Sequence, residues 1–385
     1  MQTITTTEAL ARFCEAAKAG PYVTLDTEFL RERTYWSKLC LIQMALPGRN
    51  GDAVLVDPLV EGLSLEPLYD LFRHEATVKV FHAARQDLEI FFVEAGVFPK
   101  PLFDTQIAAM VCGFGEQVGY ETLVKKIARE SLDKTSRFTD WSRRPLTEAQ
   151  STYALADVTH LRVIYEHLAR DLKKSGREAW VEEEVAILLN PETYITRPEE
   201  AWMKVKTRTT SGRFLAVVRE LARFREGYAQ ARNIPRSRVC KDDALLELAS
   251  TKPTTLEELG KSRLLLREAR RGEIAEGILQ AVKEGLAAKP EDFPKVDESR
   301  EQLQVNTALA DLLRVLLKAK SEEAGVAPKL IASSGELDEI AAGKYHGAAM
   351  QGWRGEVFGA DAMRLVRGEI ALSAIGGAVK VVPVG

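Results

Sequence analysis

Two carboxylates stand two residues apart in the run Tyr22-Val23-Thr24-Leu25-Asp26-Thr27-Glu28, a segment otherwise built as a β-strand and introduced by Gly20-Pro21. A strand's period of two turns Asp26 and Glu28 to the same face. Two like charges on a face that packs into a core are costly unless a cation neutralises them. The chain must therefore leave this face in water, as an edge strand does, or gather positive charge beside it.

Two further places put acids where such a cation could be held. Val80-Phe81-His82-Ala83-Ala84-Arg85-Gln86-Asp87 reads as a strand, a short turn and the first turn of a helix, with Asp87 in that turn. Tyr153-Ala154-Leu155-Ala156-Asp157 sets Tyr153 and Asp157 one helical turn apart on one face. Each alone has an ordinary reading. An acid in a first turn complements the helix dipole, and a Tyr/Asp pair at i, i+4 is a common surface contact. Their order and spacing together are specific.

The first half alternates strands and helices. Strands are expected at Tyr22 to Asp26, Lys38 to Leu46, Ala53 to Val56 and Val78 to Phe81, with a turn at Pro47 to Gly51. Helices are expected over Gln86 to Glu94, Thr105 to Val111, Glu121 to Arg129 and Thr147 to Lys173, with Thr147 and Asp104 as N-caps. Strands followed by helices imply a mixed sheet flanked by helices. The composition changes near Asn190-Pro191, and from Arg213 onward the periodicity is helical almost to the end, interrupted by the polar stretch Lys289 to Pro294. Two helical blocks of similar size suggest a duplicated small module.

The residues resemble the DEDD 3′→5′ exonucleases, in the branch that carries a tyrosine: D-x-E on the first strand, an Asp after a strand–helix turn, and Y-x-x-x-D on a late helix. The flanks YVTLDTEFLRE (Tyr22 to Glu32), LCLIQMA (Leu39 to Ala45), VFHAARQDLEIF (Val80 to Phe91) and YALADVTHL (Tyr153 to Leu161) carry the resemblance further. RNIPRSRVCKDDALLELA (Arg232 to Ala249) is similar to the helical HRDC domain, and GWRGEVFG (Gly352 to Gly359) to the end of a second copy. The resemblance implies a ribonuclease H-like mixed-sheet exonuclease domain over 1–200, a first HRDC domain over 208–289 and a second HRDC-like domain over 300–385. It also implies that Asp26, Glu28, Asp87 and Asp157 bind two divalent ions, Mg²⁺ or Mn²⁺, while Tyr153 orients the attacking water. Hard oxygen ligands suit those ions, and two of them clamp the attacking and leaving oxygens of an in-line displacement. A tyrosine of ordinary pKa near 10 is a poor base at neutral pH, so Tyr153 is given positioning rather than activation.

The resemblance implies removal of nucleoside 5′-monophosphates, one at a time, from the free 3′ end of structured RNA such as tRNA precursors. A DNA-directed exonuclease on the same scaffold and a non-catalytic RNA-binding protein are the alternatives. The acids specify phosphodiester hydrolysis rather than RNA over DNA, and the presence of all four with Tyr153 argues against the non-catalytic reading. Net charge is −3, so RNA must be held by a local patch. Lys204 to Lys241 carries eleven basic residues against Glu220 and Glu226. Arg232, Arg236 and Arg238 are the RNA contacts expected there, with Thr27 and His82 near the acids; a solvated helix face is the plainer reading of the charge run.

Other features point away from competing classes. Cys14, Cys40, Cys112 and Cys240 form no C-x-x-C pair, which excludes a closely spaced zinc knuckle and fits a reducing compartment. Gly260-Lys261-Ser262 has the ending of a phosphate-binding loop, but Thr255 stands where its first glycine belongs. No nucleotide cofactor is expected. His160 and His167 lie two turns apart, too far to share an ion. No signal peptide or membrane-length apolar run is present, so a cytoplasmic protein without membrane contact is expected. A monomer is expected. Tyr35 and Trp36 are expected in the interior rather than stacking on a base.

Overall fold

The computed structural model describes residues 2–48, 51–133, 135–136, 139–209, 211–295 and 304–384. The first unit holds β1 (Gln2–Ile4), α1 (Thr7–Lys18), β2 (Tyr22–Leu30), β3 (Lys38–Ala45), β4 (Ala53–Val56), α2 (Glu66–Arg73), β5 (Val78–Phe81), α3 (Arg85–Ala95), β6 (Leu102–Asp104), α4 (Thr105–Val111), α5 (Tyr120–Leu123), α6 (Glu148–Ser175) and α7 (Glu178–Leu188). Its sheet is mixed, in the order β1-β4-β3-β2-β5-β6. β2 runs antiparallel to β3 and parallel to β5, which places the acid-bearing strand at the centre. β2 is interior to the sheet, but its pairing with β5 ends at Thr24, so Asp26 and Glu28 lie past the end of β5 and are laddered to β3 alone.

β2 runs on to Leu30 and carries both Asp26 and Glu28, as the D-x-E spacing implied. β1 and β6 were not expected, being three residues each and too short for a periodic signal. The helix expected over Glu121 to Arg129 is α5 followed by a π turn at Val124–Ala128, ended by Arg129 in the left-handed region. Residues 49 and 50 of the expected turn lie outside the described residues. α6 starts where the sequence placed it. Thr147 and Gln150 form a reciprocal capping box, and Gly176 closes the far end in the left-handed conformation.

The second unit contains α8 (Gly212–Ala231), α9 (Arg236–Val239), α10 (Asp242–Thr251), α11 (Leu256–Gly260) and α12 (Gly272–Ala287) around its own core, which includes Val218, Leu221, Leu248 and Ile278. The Gly260-Lys261-Ser262 stretch is the end of α11. The third unit has α13 (Thr307–Ala324), α14 (Pro328–Ile331), α15 (Ser334–Ala341), further short helices over 348–366 and a terminal hairpin, Ile370–Ile375 with Ala378–Pro383. It too has a separate core, built on Leu313, Leu316, Ile331 and Phe358. The hairpin is a departure from the all-helical expectation for this unit.

Both helical units are fastened to the first. Asn233 Oδ1 accepts the backbone N–H groups of Tyr35 and Trp36, each at 3.0 Å. Arg236 donates to the Tyr35 hydroxyl at 2.8 Å and lies over its ring. Tyr35 and Trp36 are thus half-buried docking residues, neither core nor free to stack on a base. On the other side Arg354 joins Glu183 and Glu184 of α7, and the Trp180 and Trp353 rings stack at 4.6 Å. No helix among the described residues is long and apolar enough to cross a membrane.

Candidate active site

Three elements bring the acids together. β2 supplies Asp26 and Glu28 from one face of the sheet's central strand. α3 supplies Asp87, 5% exposed, whose carboxylate accepts the Thr27 hydroxyl. α6 lies across the sheet and supplies Tyr153 and Asp157. A cavity of about 250 Å³ is lined by Asp26, His82, Tyr120, Tyr153 and Asp157 among others, while Glu28 and Asp87 lie outside its lining. Burial and the Asp157 carboxylate push Asp26 well above the usual carboxylate range. Burial and Asp26 do the same to Asp87, against the hydrogen bond from Thr27. Among the described residues no basic side chain pairs with Asp26 or Asp87.

Such mutual repulsion between desolvated carboxylates is relieved by a proton or by a cation. The donors are all oxygen, which fits a hard divalent ion rather than a thiolate-bound one. Among the described residues no group of three or more His, Cys, Asp or Glu side chains is placed closely enough to hold a metal ion as it stands. The fit to metal therefore rests on the chemistry of the donors and on the charge at Asp26 and Asp87, which no cation among the described residues offsets.

The turn before Asp87 depends on a residue whose reach the sequence did not reveal. Asp104 accepts from the backbone N–H groups of Ala83 and Ala84 at 3.1 and 2.9 Å, and from Gln106 and Ile107 at the start of α4. Ala83 sits at φ +57°, a conformation that alanine adopts only when held. The expected helix cap is present, but the same carboxylate also fixes the β5–α3 turn.

Tyr120 was missed altogether. Its buried hydroxyl donates to the Asp157 carbonyl at 2.5 Å, tying α5 to the stretch of α6 that carries the acid. Gln43 was missed as well, although a lone amide in the apolar run LCLIQMA was a visible signal. It pairs across strands with Asp26, is fully buried, and neither amide atom has a hydrogen-bond partner among the described residues.

The basic residues of the second unit are less available than their sequence implies. Arg232 pairs with Glu273 at 2.5 Å, and Arg236 pairs with Glu226, which is 1% exposed. Arg219, Arg223 and Arg225 also face carboxylates. Arg238 is exposed and has no ion-pair partner among the described residues. His160 and His167 share no ligand set, and His167 faces Asp171 at 3.3 Å.

Comparison with known proteins defines the class. Residues 1–173 match the 3′-5′ exonuclease family and residues 214–282 the HRDC domain, so the chain is a 3′→5′ exonuclease carrying a helical HRDC domain. It is 63% identical over 383 residues to the ribonuclease D of Jannaschia sp. (strain CCS1), covering 99% of each chain. It is 47% identical over 384 residues to that of Granulibacter bethesdensis, covering 99% of this chain and 96% of the relative. Among solved structures it is similar to Escherichia coli RNase D, described as an exoribonuclease involved in structured RNA processing, with TM-score 0.80, 30% identity, and 95% and 98% of the two chains covered. The chain belongs to the ribonuclease D family and is a 3′→5′ exoribonuclease that depends on divalent metal.

Proposed function

We propose that Asp26, Glu28, Asp87 and Asp157 hold two divalent ions, Mg²⁺ or Mn²⁺, and that the cavity beside them receives the 3′-terminal nucleotide of a structured RNA such as a tRNA precursor. The observation that carries this is the convergence of acids from β2, α3 and α6 without a compensating cation at Asp26 or Asp87. When bound, such ions supply Lewis acidity to the attacking water and the departing 3′-oxygen. The chain's own groups do the rest. Asp26, central in the sheet and facing both other aspartates, binds and aligns. Thr27 holds the Asp87 carboxylate in a single orientation. Tyr153, half-exposed on the cavity wall, orients the water for in-line attack. The expected product is a nucleoside 5′-monophosphate.

The domain limits 1–200, 208–289 and 300–385 are proposed with this reading, supported by three cores, although the second also takes in Ala201 and Val205 and the first and third share Trp180 and Leu330 at their border. The third unit is proposed as a second HRDC-like domain. In both helical units a long helix (α8, α13) is followed by a four-residue helix next to a proline (α9 after Pro235, α14 at Pro328) and then a helix of eight or ten residues. A monomeric, cytoplasmic enzyme remains the proposal. Arg238 is the proposed RNA contact of the basic segment. Arg232 and Arg236 serve their glutamate partners first.

The test is release of mononucleotides from a 5′-labelled RNA with a free 3′ end, with Mn²⁺ and with chelator. Stepwise shortening that stops with chelator and in Asp26→Asn supports the reading. Metal-independent cleavage, or activity in Asp26→Asn above a few per cent of wild type, overturns it.

A further inference from the structure

His82 closes the end of β5 and lines the cavity that Asp26, Tyr153 and Asp157 share. Its Nδ1 lies 3.0 Å from Thr105 Oγ1, and that hydroxyl lies 3.0 Å from the carbonyl oxygen of Phe81. A carbonyl only accepts, so the single Thr105 proton goes to Phe81, and Oγ1 must accept from the imidazole. The Nδ1 position therefore carries the ring proton, and the other nitrogen of the neutral ring, Nε2, is left with its lone pair. Burial holds the imidazole pKa below its ordinary value, against the pull of Asp104, which keeps the ring neutral at physiological pH. Tyr120 packs on it with centroids 5.4 Å apart, so the ring is clamped from two sides. Among the described residues Nε2 has no hydrogen-bond partner, yet it is not sealed from solvent.

An acceptor in this position cannot hold a phosphate oxygen, which also only accepts. It needs a donor from the substrate. The exocyclic amines of the bases differ among the four nucleotides, and an enzyme that removes each nucleotide in turn needs a group common to all. The ribose hydroxyls are such a group, and the 2′-hydroxyl is the one that RNA adds to DNA. We propose that His82 Nε2 accepts a hydrogen bond from the 2′-hydroxyl of the 3′-terminal nucleotide, and that this contact makes the site prefer RNA. The inference rests on the reading that this cavity takes the terminal nucleotide. Thr105 is a positioning residue in it, because its hydroxyl fixes the tautomer without touching the substrate.

The experiment compares kcat/KM on matched single strands whose last residue is a ribonucleotide, a 2′-deoxynucleotide or a 3′-deoxynucleotide. The proteins are wild type, His82→Leu, His82→Gln, Thr105→Val and Asp26→Asn, with a thermal unfolding curve for each. The wild type is expected to favour the ribo end over the 2′-deoxy end by about tenfold, the scale of one hydrogen bond lost to a preorganised partner. In His82→Leu the ribo rate falls by about that factor, the 2′-deoxy rate holds, and the ratio collapses towards one. His82→Gln, whose amide oxygen reaches the Nε2 position, recovers part of the ratio, and Thr105→Val loses part of it. A His82→Leu enzyme that slows on ribo and 2′-deoxy ends alike overturns the proposal. So does a wild-type ratio near one, or a ratio that follows the 3′-hydroxyl instead. If His82→Leu does not fold, the His82→Gln and Thr105→Val ratios decide, and unchanged ratios in both overturn it. Failure of the underlying site is seen separately, as an Asp26→Asn enzyme that still cleaves.

Discussion

The acids around β2 and the arginines of α8 and α9 are two charge clusters that are handled in opposite ways. Asp26 and Asp87 face other carboxylates, and among the described residues no cation offsets either. Arg219, Arg223, Arg225, Arg232 and Arg236 each have a carboxylate within ion-pair distance. A charge answered by its own fold stabilises that fold. A charge left unanswered in a desolvated site lowers stability and is kept for a ligand. The contrast supports the sheet face as the proposed place of chemistry and makes much of the basic segment structural.

The largest effect expected from breaking this contrast is on the acid side. Asp26→Asn should reduce hydrolysis by at least about a hundredfold, because it removes a proposed ligand that faces both other aspartates. Without added metal the same variant should unfold at a higher temperature than wild type, since a repelling charge is gone. A lower melting temperature would show that Asp26 is compensated in the fold after all. Asp157→Asn should follow closely in activity, and Tyr153→Phe should be milder, because orientation contributes less than ligation. Equal losses for Asp157→Asn and Tyr153→Phe, measured as kcat at saturating Mg²⁺, would remove the distinction between their roles.

On the basic side the first effect expected is on stability rather than RNA binding. Arg236→Ala strands Glu226, which is 1% exposed, and should destabilise the protein by about 2 kcal/mol. That is less than a fully buried broken pair, because Arg236 itself is half-exposed. The pH dependence gives the sign. Burial pulls the Glu226 carboxyl up, but Arg236 and Tyr35 outweigh it and hold it below its ordinary value. The stabilisation in wild type is therefore complete above the usual carboxylate range and is lost as pH falls through the lowered value. In Arg236→Ala burial acts unopposed by that guanidinium, so the variant should gain stability between pH 7 and pH 5. Thermal unfolding at the two pH values checks this, and a gain of the same size in wild type would refute it.

Arg238→Ala should be gentler. It should lower the slope of log affinity against log salt for structured RNA by about one, the signature of one phosphate contact, while Arg232→Ala leaves that slope nearly unchanged. Equal slopes for both variants would erase the difference between a paired and an unpaired arginine. The smallest effect is expected at Gln43. Gln43→Met removes an amide with no partner from the fully buried strand beside Asp26, so it should leave the melting temperature unchanged or raise it slightly. A clear drop would mean that the amide is satisfied in solution.

Short-range information explains what could be read before the structure. Asp26 and Glu28 sit two apart on a strand, Tyr153 and Asp157 four apart on a helix, and Thr147 sits one before α6; each relation lies within a single element. The elements that escaped notice lack such a local signature. β1 and β6 are three residues long, and the Asp104 carboxylate holds Ala83 from twenty-one residues away. Tyr120 reaches Asp157 over thirty-seven residues and leaves no spacing pattern. Charge was legible as a count but not as a balance, because Glu273 and Asp242, which answer Arg232 and Arg225, lie outside the basic run.

The central claim is that the acids gathered around Asp26 and Asp87 are a divalent-metal site. Thermal unfolding of metal-free wild type and Asp26→Asn, with and without millimolar Mn²⁺, tests it without reference to activity. The melting temperature of wild type should rise by several degrees on adding Mn²⁺, while that of Asp26→Asn, already higher without metal, should barely move. An equal rise in both proteins, or none in wild type, would contradict the account.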